Sequence, residues 1–235
     1  MQVHSILYPS YVDGPGPRVV LFLQGCPIRC PGCQNRHLWD PKGGKEIPVE
    51  EVARRLLTTG LPVTISGGEP FAQARELAEL LHILKEAGVH VIVYSGFRFE
   101  VLLSIAGAVP GIMTTLHLAD VLVDGPFIAS LKEGAGPYRG SANQRAIDLP
   151  ATFAAGEVVE VDWGELAVSI LPDGSVVSQA EATPVLKSLG PSQRTRRCGE
   201  TCAASTPLKA GGRTYAFALA PGAEANAFIR RPAKG

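Results

Sequence analysis

The chain has 235 residues, in which 22 lysines and arginines balance 22 aspartates and glutamates. This length suffices for one domain with an appendage, and a chain of this size buries about 70% of its surface on folding. The balanced charge favours neither nucleic acid nor an anionic membrane as a partner. Residues 1–18 lack a signal-peptide pattern, and no run approaches the roughly 20 apolar residues of a spanning helix. We therefore expect a cytoplasmic protein.

The first 150 residues alternate predicted strands with predicted helices. Short apolar runs rich in β-branched and aromatic residues predict four strands, the last three running into glycine turns, over 18–25, 62–70, 89–97 and 119–127. Apolar residues at helical spacing predict three helices, over 49–60, 72–88 and 99–107. Such alternation is typical of parallel β/α units. Four strands are too few for a complete eight-unit barrel, so we expect an α/β fold with an open, partial parallel barrel.

The pattern changes after residue 150. Residues 156–163 alternate as a strand does, and residues 166–179 look like two strands around a Pro-Asp-Gly turn. From about residue 188, glycine, alanine and arginine are frequent without periodicity, which is typical of a loosely ordered tail. The sequence therefore predicts a core domain over 1–150, a small antiparallel β extension over 151–187 and a tail over 188–235.

Unusual residues follow the ends of all four predicted strands. In chain order they are Cys26, Cys30 and Cys33; Gly67, Gly68 and Glu69; Tyr94, Ser95 and Gly96; and Asp124 and Gly125. The carboxyl ends of parallel strands share one rim of a sheet, and ligands bind at that rim. We therefore expect these residues to form one site.

Three of the five cysteines lie close together in the segment QGCPIRCPGCQN at 24–35. In a reducing compartment, clustered cysteines more often hold metal than form disulfides. The spacing alone leaves two interpretations open. His37 could complete a four-ligand zinc site. Alternatively, three thiolates could hold an iron–sulfur cluster whose remaining iron is open to a small molecule.

Four motifs in order carry a resemblance to a known family. The spacing C-x3-C-x2-C after the first strand is the signature of the radical S-adenosylmethionine superfamily, and residues 12–47 resemble its glycyl-radical-enzyme activases. ISGGEP at 65–70 is similar to their second motif. DVLVDGPF, followed by YRGSANQRAIDLP at 138–150, resembles the branch that activates anaerobic ribonucleotide reductase. Gly32 departs from many superfamily members, which have an aromatic residue there, and Pro126 replaces a lysine of the pyruvate formate-lyase branch.

The resemblance implies two cofactors in the core domain. A [4Fe–4S] cluster would be held by Cys26, Cys30 and Cys33, and S-adenosylmethionine would bind its fourth iron. The implied cofactor-binding residues are Gly67, Gly68, Glu69 and Pro70 at the methionyl amino group; Gly32, Cys33 and Gln34 on the adenine side; Ser95 and Asp124 at ribose or methionine groups; and Asn143. Asn143 belongs to a polar segment with Arg139, Gln144 and Arg145, which could instead bind the partner. No amino-acid side chain is expected to act as a catalytic acid, base or nucleophile.

The implied activity is reductive cleavage of S-adenosylmethionine to a 5′-deoxyadenosyl radical. This radical would generate a glycyl radical on a partner enzyme of the anaerobic ribonucleotide reductase type, with ferredoxin or flavodoxin as electron donor. Two alternatives stay open: a radical enzyme acting on a small molecule or peptide, and a non-catalytic iron–sulfur or zinc module for electron transfer or regulation. Cys198 and Cys202 are too few for a second cluster, and we expect no role for them in the first. A metal site and a redox-sensitive pair stay open for these two cysteines.

Overall fold

The computed structural model describes residues 1–163 and five later strands, over 166–170, 176–180, 208–210, 213–218 and 226–228. Its largest element is a mixed sheet of seven strands that does not close into a barrel. The strands are β1 (Gln2–Ser10), β2 (Arg18–Leu23), β3 (Lys45–Glu46), β4 (Val63–Gly67), β5 (Val91–Tyr94), β6 (Val121–Asp124) and β7 (Arg145–Asp148). They are arranged in the order β3-β1-β2-β4-β5-β6-β7.

The four predicted strands form the parallel centre of this sheet. Strands β2, β4, β5 and β6 are neighbours and run in one direction. The prediction of parallel β/α units is therefore confirmed for this part of the chain. Sequence analysis did not predict β1, β3 or β7, which pair antiparallel at the two sides of the sheet and make it mixed.

Five α-helices accompany the sheet in the described part of the chain: α1 (Val49–Thr58), α2 (Ala74–Glu86), α3 (Phe99–Ile105), α4 (Ile112–Leu118) and α5 (Leu149–Ala155). The first three confirm the predicted helices, whereas α4 and α5 were not predicted. None of the described helices combines the length and the apolar character that crossing a bilayer requires.

The two faces of the sheet have different roles. Because successive strand residues point to opposite faces, Val19, Leu21 and Leu23 of β2 enter one side and join the buried apolar core with the helices. On the other face, Ser66 of β4 and Tyr94 of β5 line a cavity. The larger hydrophobic core therefore covers one face of the sheet, and the other face has a smaller apolar cluster around Ile92 and Val123 beside the cavity.

The region after the sheet contains short antiparallel strands. Strands β8 (Leu166–Ile170) and β9 (Val176–Ala180) pair antiparallel, as predicted for residues 166–179. The strand predicted over 156–163 is not formed; Glu160 makes only an isolated bridge with Ile147 of β7. Within the predicted tail, three strands that sequence analysis missed form an antiparallel sheet: β10 (Leu208–Ala210), β11 (Arg213–Ala218) and β12 (Asn226–Phe228). Cys198 and Cys202, which are predicted to have no role in the cluster, lie outside the described residues.

Candidate iron–sulfur and cofactor site

A cavity of about 560 Å³ opens at the carboxyl ends of the parallel strands and extends along the inner face of the sheet. Cys26, Cys30 and Cys33 all line it, as do Glu69 and Ser95. The volume lies within the range of about 300–1,000 Å³ that small-molecule sites occupy. Gly125 lines the cavity too, so the structure brings residues from the features that follow all four predicted strands into one cavity.

Backbone hydrogen bonds hold the cysteine segment at the end of β2. The N–H of Cys26 donates to the carbonyl of Trp39 at 3.2 Å, and the N–H of Cys33 donates to the carbonyl of Cys30 at 3.1 Å. The buried side chain of Gln24 closes the segment, because its amide donates to the carbonyl of Asp40 at 2.8 Å. All three cysteines are free thiols of intermediate exposure. Main-chain contacts therefore set the spacing of the thiols along the cavity wall.

The position of His37 bears on the choice between zinc and a cluster. A structural zinc site needs four ligands, and His37 is the candidate for the fourth beside the three cysteines. Its ring lies next to that of His4, with 5.0 Å between ring centroids and 59° between the ring planes, and it does not line the cavity.

Glu69 is a fully buried carboxylate on the cavity wall. Its Oε1 accepts hydrogen bonds from the N–H of Phe71 at 3.0 Å and from the hydroxyl of Ser95 at 2.9 Å. Its Oε2 accepts one from the N–H of Gly96 at 2.8 Å. Burial raises the pKa of Glu69 to about 7, although these donors favour the ionised form. Glu69 therefore gains or loses its proton near neutral pH.

The turn before Glu69 needs glycines because it touches the cysteine segment. The N–H of Glu69 donates to the carbonyl of Gly25 at 2.8 Å, and the N–H of Gly68 donates to that of Leu23. Gly67 has φ +110°, and a Cβ there would collide with the backbone of Leu23. A Cβ at Gly68 would collide with the carbonyl oxygen of Gly25. Close backbone approach therefore explains both glycines.

The predicted cofactor residues divide into two groups. Those that line the cavity are Cys33, Gln34, Gly67, Gly68, Glu69 and Ser95. Those that are not part of its lining are Gly32, Pro70, Asp124 and Asn143. Pro70 begins a short 3-10 helix, and the amide of Asn143 donates to the carbonyl of Pro126 at 2.8 Å. Both residues shape segments that border the site.

Asp124 serves a structural network in this fold. It is 1% exposed, and its carboxylate forms an ion pair with Arg145 of β7. The same carboxylate accepts a hydrogen bond from the N–H of Phe99 at 2.8 Å, at the start of α3. Arg145 also pairs with Glu100 at 3.0 Å, and these two carboxylates raise the pKa of Arg145. Asp124 therefore joins β6, β7 and α3.

Comparison with known proteins decides the family. The family model for a 4Fe-4S single cluster domain matches residues 12–147. The anaerobic ribonucleoside-triphosphate reductase-activating protein of Salmonella typhi is 30% identical over 155 residues, which are 61% of this chain and 96% of that protein. The chain belongs to the glycyl-radical-enzyme activases of the radical S-adenosylmethionine type. The resemblance found in the motifs is thereby confirmed.

Other activases match over a shorter length. The pyruvate formate-lyase-activating enzyme of Clostridium pasteurianum is 41% identical over 99 residues, which are 39% of this chain and 42% of that protein. The pyruvate formate-lyase 1-activating enzyme of Escherichia coli K12 is 40% identical over 96 residues, 38% of this chain and 39% of that protein. The chain thus spans about two fifths of the length of these relatives.

Three residues of the cavity lining carry buried polar atoms that sequence analysis missed. Trp39 Nε1, the Tyr138 hydroxyl and Arg139 Nε are buried without a hydrogen-bond partner, and all three residues belong to the cavity lining. Each of these groups can donate a hydrogen bond. No local motif marks Trp39 or Tyr138, whereas Arg139 lies in the polar segment noted above.

Proposed function

We propose that this activase holds one [4Fe–4S] cluster through Cys26, Cys30 and Cys33 and binds S-adenosylmethionine beside it. The proposed product is a glycyl radical on a partner enzyme of the anaerobic ribonucleotide reductase type. The open mixed sheet is, in this proposal, the partial barrel of the radical S-adenosylmethionine fold. One observation carries the proposal: the three thiols and the buried carboxylate of Glu69 line a single cavity.

The bound pair would supply the radical chemistry, namely one-electron reductive cleavage of S-adenosylmethionine and removal of a hydrogen atom from a glycine of the partner. The protein's own residues bind, orient and exclude water. Gly67 and Gly68 bring the turn against the cysteine segment, so Glu69 lies near the thiols. Glu69, ionised above its pKa of about 7, offers an acceptor to the methionyl amino group. Ser95 holds the carboxylate in place through its hydroxyl.

The choice of partner is supported by the matched length and by the motifs. The chain covers 96% of the reductase-activating protein of Salmonella typhi but 42% of the Clostridium pasteurianum pyruvate formate-lyase-activating enzyme. The segment 138–150 resembles the reductase branch, and it supplies Tyr138, Arg139 and Gln144 to the cavity lining. We propose ferredoxin or flavodoxin as the electron donor, because plant-type ferredoxins reach about −400 mV.

The test is anaerobic reconstitution with iron and sulfide, reduction by dithionite, and addition of S-adenosylmethionine with an anaerobic ribonucleotide reductase. We expect 5′-deoxyadenosine and methionine in equal amounts, and a glycyl radical doublet by electron paramagnetic resonance on the reductase. Cleavage without a glycyl radical would exclude this partner and favour a small-molecule or peptide substrate. No cleavage by a protein with a full cluster would refute the proposed activity.

A further inference from the structure

Phe127 lies against the cysteine segment although it comes from another strand. It follows the end of β6 and lines the same cavity as the three cysteines. Gly32, between Cys30 and Cys33, has φ +80° and leaves space for it. A Cβ at position 32 would stand 3.5 Å from Phe127 Cε1 and 3.1 Å from the Cβ of Ala129. The segment after β6 therefore packs directly on the cysteine segment.

The backbone of Phe127 also lies near a thiol. Its N–H opposes the rise in the pKa of Cys30 that burial causes. Hydrogen bonds to the sulfurs and exposure to solvent are two of the factors through which a protein influences a bound cluster. Phe127 thus brings a backbone N–H near the Cys30 thiol and a ring beside Gly32 of the cysteine segment.

Side chains from the returning segment fix Phe127 in this position. The amide of Asn143 donates to the carbonyl of Pro126 at 2.8 Å, and the amide of Gln144 donates to the carbonyl of Gly125 at 2.9 Å. On the other side, the N–H of Ile128 donates to the hydroxyl of Ser141 at 3.1 Å. The fixed backbone on both sides gives the aromatic ring a defined place rather than that of a loose surface residue.

We propose that Phe127 is a positioning residue for the iron–sulfur cluster, covering the cluster beside Cys30 with its ring and excluding water and small solutes. The inference rests on the cluster of the proposed function. It assigns the ring a protective role in addition to the ligand role of the thiols. Gly32 permits this packing because it adopts φ +80° without strain and because a Cβ there would come within 3.1 Å of the Cβ of Ala129.

The test compares the reconstituted parent with Phe127→Ala and the control Ile128→Ala. Ile128 is the next residue, is 38% exposed and does not line the cavity. We expect Phe127→Ala to take up the parent's iron complement and to release iron to a chelator at least about fivefold faster, because the exposed cluster is open to solvent. Ile128→Ala should match the parent. Equal release rates for Phe127→Ala and the parent would overturn the proposal.

A second variant covers the case in which Phe127→Ala does not fold. Phe127→Leu keeps most of the volume but leaves part of the ring's area open, so we expect release at least about twofold faster than in the parent. A parental rate in this variant would equally overturn the proposal. Chelation needs neither S-adenosylmethionine nor a partner. A parent that holds its cluster but does not cleave the cofactor would therefore refute the proposed activity. The rates of iron release could still be compared and would still test the role of Phe127.

Discussion

The buried carboxylate of Glu69 yields the sharpest prediction. Glu69→Gln keeps the shape of the side chain and removes its charge and its titration. The amide oxygen can still accept from Phe71 and Ser95, and only the bond from the Gly96 N–H loses its acceptor, so the turn should keep its conformation. We expect the variant to hold the cluster and to bind S-adenosylmethionine more weakly at pH 8 by about 1–3 kcal/mol, the usual contribution of a charge-assisted hydrogen bond.

The pH dependence follows from the raised pKa. With a pKa of about 7, roughly one Glu69 in eleven is ionised at pH 6 and roughly ten in eleven at pH 8. If only the ionised form pairs with the amino group, this residue makes affinity about tenfold higher at pH 8 than at pH 6. The same raised pKa has the opposite effect on folding stability, which falls as the pH rises, whereas the affinity for the cofactor increases. A pKa raised from 4.5 to about 7 contributes stability that is complete below pH 4.5 and is lost as the pH rises through about 7.

The assay is anaerobic calorimetric titration of the reconstituted parent and Glu69→Gln with S-adenosylmethionine at pH 6, 7 and 8. The cofactor's own amino group titrates in both proteins, so the ratio of their affinities isolates Glu69. That ratio should change about tenfold between pH 6 and 8. Glu79→Gln, an exposed change on α2, serves as the control. A ratio that stays constant with pH would show that Glu69 only shapes the turn.

Three further variants test other parts of the site. Cys30→Ala should remain folded but fail to hold a [4Fe–4S] cluster, since one of three ligands is lost; a full iron and sulfide complement after anaerobic reconstitution would contradict the ligand assignment. Asp124→Asn should lower the free energy of unfolding by about 3 kcal/mol, because it leaves Arg145 with a weaker partner. Its affinity for S-adenosylmethionine should stay unchanged, and a loss of affinity with parental stability would support the cofactor role that the sequence predicts for Asp124. The Cys198→Ser/Cys202→Ser double variant should bind about four irons per chain and cleave S-adenosylmethionine at the parent's rate; loss of both iron and activity would show that the tail supplies ligands.

Continuous apolar burial explains which strands the sequence revealed. The parallel strands are covered on both faces, so β2 is a run of buried residues with one exception. Strand β1 lies toward the side of the sheet and is mostly exposed or half-buried over Gln2–Ser10, which leaves its sequence without a clear pattern. Strand β3 has two exposed residues and could not be distinguished from a turn.

Helix α5 was not predicted, although its sequence has the residues that typically begin and end a helix. Asp148 caps it by accepting from the N–H of Ala151 at 2.8 Å, and Pro150 occupies its first turn. Gly156 ends it in the left-handed conformation. A helix of seven residues gives too few repeats for a helical period to be recognised in the sequence.

Local motifs and long-range partners explain which site residues could be found. The cysteines and the Gly-Gly-Glu turn are contiguous in sequence, and strand order alone places them on one rim. The role of Asp124 depends on Arg145 and Phe99, which are 21 and 25 residues away. Nothing near Asp124 in the sequence distinguishes a carboxylate that binds a ligand from one that pairs with a distant arginine.

The contact between the glycine turn and the cysteine segment links the two proposed cofactors through the backbone. The N–H of Glu69 donates to the carbonyl of Gly25, one residue before Cys26, and both segments continue from neighbouring parallel strands. The distance between the carboxylate and the thiols is therefore fixed by main-chain hydrogen bonds rather than by flexible side chains. A side chain at Gly68 would push the turn away from Gly25 and move both groups at once. The two glycines thus determine the geometry of the site as much as the residues that would bind the cofactors.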